Sequence, residues 1–161
     1  MNPMEVNAKH LLRDANDFDV PAITDLINCA FSVERFFKTG DRTDEAQVHD
    51  LMRTGSFLLL TEHDSLIACV YVKITGERSY IGMLAVDPAQ QKSGLGSRMM
   101  REAEDLSRRA GCKFVDLRVV DIRPELSLIY GKIGYVETSV SAANIESATR
   151  PVNFVTMSKR L

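Results

Sequence analysis

Gln91-Lys92-Ser93-Gly94-Leu95-Gly96 is the stretch whose residue types and spacing could do chemistry. Two glycines one residue apart, set where a helix is predicted to begin, let a ligand approach the main chain closely. The first turn of a helix leaves N–H groups without intrahelical partners and carries the positive end of the macrodipole, so the favoured chemistry is anion binding. Just upstream, residues 80–86 read Tyr-Ile-Gly-Met-Leu-Ala-Val, apolar on both alternating faces except at Gly82. That pattern predicts a strand buried on both sides. Asp87 and Pro88 end it. A strand feeding directly into such a turn predicts a phosphate-bearing cofactor laid along the strand.

Other reactive residue types point nowhere as specific. His10, His49 and His63 stand apart, with no Cys, Asp or Glu at ligand spacing, so they read as surface or helix-end histidines rather than as a metal site or nucleophile triad. Cys29, Cys69 and Cys112 are odd in number and sit among apolar neighbours, which predicts reduced core thiols and neither a disulfide framework nor a zinc site. Arg108-Arg109 closes a predicted helix and complements its dipole, with no need of nucleic acid.

The elements that must position the glycine turn follow from hydrophobic period. Residues 1–8 read as a frayed start, and 9–15 as a first strand around Leu11 and Leu12. Asp17-Phe18-Asp19 offers capping carboxylates to a helix carrying Val20, Ile23, Leu26, Ile27 and Ala30. Segment 31–43 has no clean period. Its Phe36-Phe37 pair either plugs the core beside solvated charges or lines a substrate entrance. Thr43-Asp44-Glu45 caps a second helix that stops at Gly55. The period then changes to strand-like runs at 57–60 and 66–72, joined by Glu62-His63-Asp64-Ser65 as a hairpin. A turn at Thr75-Gly76-Glu77-Arg78 completes an antiparallel meander with the 80–86 strand. The helix after Gly94 sets Leu95, Met99, Ala103, Leu106 and Ala110 on one face and ends at Gly111. A strand at 114–120, a shorter helix from Pro124 to Gly134, a strand from Tyr135 and a closing strand at 152–157 complete the chain.

A length of 161 residues fits one domain spanning 1–161, with no repeat, low-complexity segment or linker. The composition, 45% hydrophobic and 26% charged, is that of a soluble globular protein. A net charge of -2 argues against nucleic acid or an anionic membrane as partner. No basic segment precedes an apolar core, and no apolar run approaches bilayer length, so a cytoplasmic location is expected.

The element order predicts a mixed α/β sheet, mostly antiparallel, with helices on both faces. Within it, Gln91-x-x-Gly94-x-Gly96 resembles the acyl-CoA pyrophosphate loop of the GNAT superfamily of N-acetyltransferases, written there as Gln or Arg, two residues, Gly, one residue, Gly or Ala. Val86-x-Pro88 matches as well. Leu128-Ile129-Tyr130-Gly131-Lys132-Ile133-Gly134-Tyr135 is similar to the family's Leu-Tyr-x-x-x-Gly-Phe signature. One position departs: Arg123 stands where family members often have Asn, seven residues before the Tyr.

The resemblance implies acetyl-CoA as co-substrate, no metal, and direct transfer of the acetyl group to a primary amine of a small molecule or an exposed protein amino group. It implies that the pantetheine arm bonds the main chain of Leu84, Ala85 and Val86 as an added strand would. The pyrophosphate is expected on the amides of Lys92, Ser93, Gly94, Leu95, Gly96 and Ser97, with Gln91 adding a side-chain contact. Lys92 either meets a phosphate or is solvated. Tyr130, at the family's phenol position, is the expected general acid for the leaving thiolate. No base is assigned: Tyr80, Glu34, Glu77 or a relaying water could take the amine's proton. A homodimer is the family expectation. The rival from another class is a non-catalytic acyl-CoA-binding regulatory module. A dinucleotide enzyme fits less well, since the G-x-G-x-x-G spacing and parallel βαβ context are missing.

Overall fold

The structure, a computed structural model, describes residues 9–161, so the expected frayed start at 1–8 lies outside the described residues. Seven strands form one sheet: β1 (His10–Asp14), β2 (Ser56–Glu62), β3 (Ser65–Thr75), β4 (Arg78–Val86), β5 (Phe114–Val120), β6 (Val136–Ala142) and β7 (Asn153–Arg160), in the spatial order β1-β2-β3-β4-β5-β7-β6. Every pairing is antiparallel except β4 with β5. The four α-helices are α1 (Val20–Ala30), α2 (Glu45–Thr54), α3 (Leu95–Arg109) and α4 (Pro124–Lys132). The predicted class, a mixed and mostly antiparallel sheet flanked by helices, is the one observed.

Local chemistry explains the boundaries. Asp44 caps α2 by accepting from the Gln47 N–H at 2.8 Å. The β2–β3 hairpin turns through His63 and Asp64, both with positive φ (50° and 63°), a twist that matches the flanking strands. Gly111, at φ 86°, supplies the left-handed residue past the end of α3.

Period-two patterning then sorts side chains to two faces. Phe57, Leu59, Cys69 and Tyr71 meet Val20, Ile23, Leu26 and Ile27 of α1 and Val48 of α2. On the other face Leu58, Leu60, Val70, Val115, Leu117 and Val119 meet Leu95, Met99, Met100 and Ala103 of α3. Each such side chain contributes about 1.5–3 kcal/mol by leaving water, so both layers are needed to hold the sheet.

Three expectations need correction. Cys29 is exposed near the end of α1, while Cys69 and Cys112 are buried. The α3 face toward the sheet includes Met100, Glu104 and Ser107, whereas Ala110 is exposed. The polar pair is tolerated there because Ser107 Oγ donates to the Ala103 carbonyl and Glu104 is paired with Lys159 at 2.8 Å. Residues 82–84 and Val86 of β4 are only partly buried, because the strand borders an open groove rather than a closed sheet.

Candidate active site

The groove begins with a fault in β4. Cys69 pairs with Ala85 and Tyr71 with Gly82, so β4 carries one residue more than β3 across this interval, and Met83 takes φ 50° there. Beyond the bulge β4 bends away: its parallel pairing with β5 is confined to Arg78, Ser79 and Tyr80 against Phe114, Val115 and Asp116. The β5-facing main chain of Leu84, Ala85 and Val86 therefore has no strand partner, and a cavity of about 630 Å³ opens through the split. Its lining brings together Gln91, Lys92, Gly94, Leu95 and Gly96 of the glycine turn, Glu34, Lys38, Asp41 and Arg42 of segment 31–43, and Arg123 and Tyr130.

The glycine turn is built as an anion cradle. Gly94, the N-cap of α3, sits at φ 83° and offers no side-chain acceptor, so the first-turn amides of Leu95, Gly96 and Ser97 are left for a ligand. The next amide, Arg98 N–H, is already satisfied by the Gly94 carbonyl at 3.0 Å. A Cβ on Gly96 would lie 4.0 Å from Val86 Cγ2, narrowing the channel between α3 and β4. These features fit a pyrophosphate and a pantetheine arm, the groups that acetyl-CoA would bring. Ser93 Oγ donates to the Gln90 carbonyl, holding the turn in shape. Gln91 Nε2 donates to the Val86 carbonyl at 3.2 Å, tying the turn to the end of β4. Lys92 is exposed at the rim.

Tyr130 sits near the end of α4, where its ring meets that of Tyr135 edge-on at 6.0 Å. Burial pushes its phenol above the ordinary tyrosine range, and the charge of Arg123 opposes that rise. Arg123 also reaches across the groove, donating to Glu34 Oε2 at 3.2 Å and to Glu125 Oε1 at 3.2 Å. The departure from the family's Asn thus links the start of α4 to the 3₁₀ turn Phe31–Phe36.

The structure separates the three side chains left open as base. Glu34 is 5% exposed and lines the groove. Glu77 is on the β3–β4 turn, paired with Lys113 at 3.0 Å, away from the groove-lining residues. Tyr80 faces a second concavity beside Arg118. In segment 31–43 Phe37 is fully buried in a small core with Val120 and Val152 but Phe36 is exposed, and Glu34 and Lys38, expected to be solvated beside a core plug, are buried where they line the groove.

Lys38, Arg42 and Arg118 went unrecognised as candidate residues. The charged run beside Phe36-Phe37 was the available signal for the first two, and nothing local marks Arg118. Burial, reinforced by the charge of Arg42, pushes the Lys38 ammonium below the ordinary lysine range, with Glu34 and Asp41 opposing. Among the described residues no group of three His, Cys, Asp or Glu side chains is placed to hold a metal ion, and no helix is long and apolar enough to cross a membrane.

Comparison with known proteins fits this geometry. A probable glucosamine 6-phosphate N-acetyltransferase from Oryza sativa subsp. japonica is 35% identical over 68 residues, 42% of this chain and 39% of that protein. The match thus spans about two-fifths of the curated relative's length. Among solved structures, the ribosomal-protein-S18-alanine N-acetyltransferase of Escherichia coli superposes with a TM-score of 0.80 at 16% identity, covering 94% of this chain and 93% of that one. YncA from Salmonella typhimurium, solved with acetyl-CoA, superposes with a TM-score of 0.72 at 17% identity over 95% and 94% of the two chains. At these identities the two structures establish the fold alone. The family model described as "Acetyltransferase (GNAT) family" matches residues 20–128, and the chain belongs to that family.

Proposed function

We propose that the protein is an acetyl-CoA-dependent N-acetyltransferase that transfers the acetyl group directly to a primary amine, with Tyr130 as general acid. The observation that carries this reading is that the free amides at the start of α3, the unpaired edge of β4 and the Tyr130 side chain all belong to one groove. Acetyl-CoA, when bound, supplies an activated acyl carbon. The β4 main chain at Leu84, Ala85 and Val86 orients the arm as a strand partner would, and the α3 N-terminus holds the diphosphate. A C–N bond forms at the acyl carbon as its C–S bond breaks. Direct attack needs no covalent enzyme intermediate, so the protein contributes positioning and proton management.

Burial keeps the Tyr130 proton in place through neutral pH, leaving it available to the departing sulfur. Of the three side chains left open as base, Glu34 is the one that lines the groove, and it or a relaying water receives the amine's proton. An amine of lysine type has a pKa near 10.4, so that proton must be removed before attack. The curated relative's activity on glucosamine 6-phosphate supports a small amine as acceptor over a protein amino group.

The test is incubation with acetyl-CoA and an amine panel, following free thiol. Amine-dependent thiol release is expected, together with thermal stabilisation by CoA. Stabilisation without release from any amine would instead support the acyl-CoA-binding module. No stabilisation by any CoA species would dismiss both.

A further inference from the structure

The acceptor half of the groove carries more positive than negative charge. Lys38, Arg42, Arg118 and Arg123 line it against Glu34 and Asp41. Arg123 is committed to Glu34 at 3.2 Å, and Lys38 reaches the same carboxylate at 3.9 Å. Arg42 and Arg118 have no carboxylate partner within salt-bridge distance among the described residues; Arg42 lies over the Phe31 ring at 5.6 Å.

Arg118 is the more telling of the two. It projects from β5 with its guanidinium carbon 4.5 Å from the centre of the Phe154 ring and 5.8 Å from that of Tyr80. The nearest acid on the same strand face, Asp116, cannot neutralise it. Both Asp116 oxygens accept from Arg78, at 2.8 and 2.6 Å, and Ser158 donates to one of them as well. Arg118 also lies where the main groove joins a second cleft, lined by the hydroxyl groups of Thr138, Thr156 and Ser158. A stacked, exposed guanidinium without a counter-ion keeps its planar fork of donors free for a carboxylate or phosphate.

Resting on the acyl-transfer reading above, we propose that the acceptor is a small amine carrying a second, anionic group, a phosphate or a carboxylate, which Arg118 binds with help from Arg42. Arg118 takes the acid end, which fixes how the amine is presented in the groove. An acceptor with an anionic group therefore gains a contact that a simple alkylamine lacks.

Matched pairs test this. Acetylation is measured for glucosamine 6-phosphate against glucosamine, and for alanine against alaninamide, so that the phosphate and carboxylate sources are separated. The native protein is expected to prefer the anionic member of at least one pair. In Arg118→Gln that preference, taken as the ratio of kcat/KM values, should fall by about tenfold to a hundredfold through KM, with partial recovery in Arg118→Lys. Equal use of both members by the native protein, an unchanged ratio in Arg118→Gln, or selective use of a peptide amine would overturn the proposal. Should no amine release thiol, calorimetric binding of glucosamine 6-phosphate and of glucosamine in the presence of CoA decides the point independently of turnover. Equal binding of the two would then end it. Far-UV circular dichroism melts verify that the variants fold.

Discussion

At the scale of single residues, the proposed reaction turns on the proton of Tyr130. Its phenol is raised by burial, with the charge of Arg123 opposing, so it keeps its proton at neutral pH. Replacing it with Phe keeps the ring contact with Tyr135 and removes only the hydroxyl. Tyr130→Phe is expected to lower kcat by about 10²- to 10⁴-fold, the usual worth of a positioned general acid. The dissociation constant of CoA should stay within about threefold, since the proposed contacts to CoA are α3 and β4 amides. Steady-state kinetics with calorimetric CoA titration checks both, and an undiminished kcat would remove Tyr130 from the chemistry. Tyr130 and the glycine turn were legible because short motifs carry them. Arg118 was not, because its meaning lies in a counter-ion that Arg78 takes from it across 38 positions of sequence.

At the scale of elements, function depends on how two strands and a helix end are set apart. Periodicity identified β4 as a strand entering a turn, since that information is local. The bulge at Met83 escaped it, because a bulge is defined by pairing with β3. Partial exposure of β4 follows from the same cause: its neighbour on the β5 side is an open groove. The buried places of Glu104 and Ser107 on α3 were not legible, because their satisfaction depends on Lys159 of β7 and on the helix's own carbonyls. The close approach between α3 and β4 is the testable part. Gly96→Val puts a branched side chain toward Val86 Cγ2, in the channel that the arm would occupy. CoA affinity is expected to drop by at least about tenfold, with the melting temperature little changed because the site is a partly exposed helix start. Unaltered CoA binding would refute the cradle assignment.

At the scale of the whole molecule, the sheet is laced together by carboxylates. Asp116 joins β5 to β4 and β7 through Arg78 and Ser158, and its pKa is lowered chiefly by Arg78. Asp121 accepts from the Asn153 main-chain and side-chain N–H groups at the start of β7, which lowers it too, and Asp19 is lowered by its pair with Arg13. A depressed folded-state pKa gives stability that is present above the unfolded value, about 3.9 for Asp, and lost as pH falls through the folded value. Melting temperature is therefore expected to hold from neutrality to about pH 5 and to fall steeply below about pH 4. Asp116→Asn should melt lower at pH 7 and show a shallower acid decline. A decline identical to that of the native protein would show that Asp116 is not one of the groups responsible.

The short parallel contact of β4 with β5 has a mechanical meaning as well. One leaf of the sheet holds β1, β2, β3 and β4, the other holds β5, β7 and β6, and only three residues of each bordering strand join them. With so narrow a seam the two leaves part as a wedge, and the apolar face of α3, packed on strands of both, spans it as a strut. The Arg123–Glu34 ion pair braces the same opening, so the wedge is held by side chains rather than by sheet pairing.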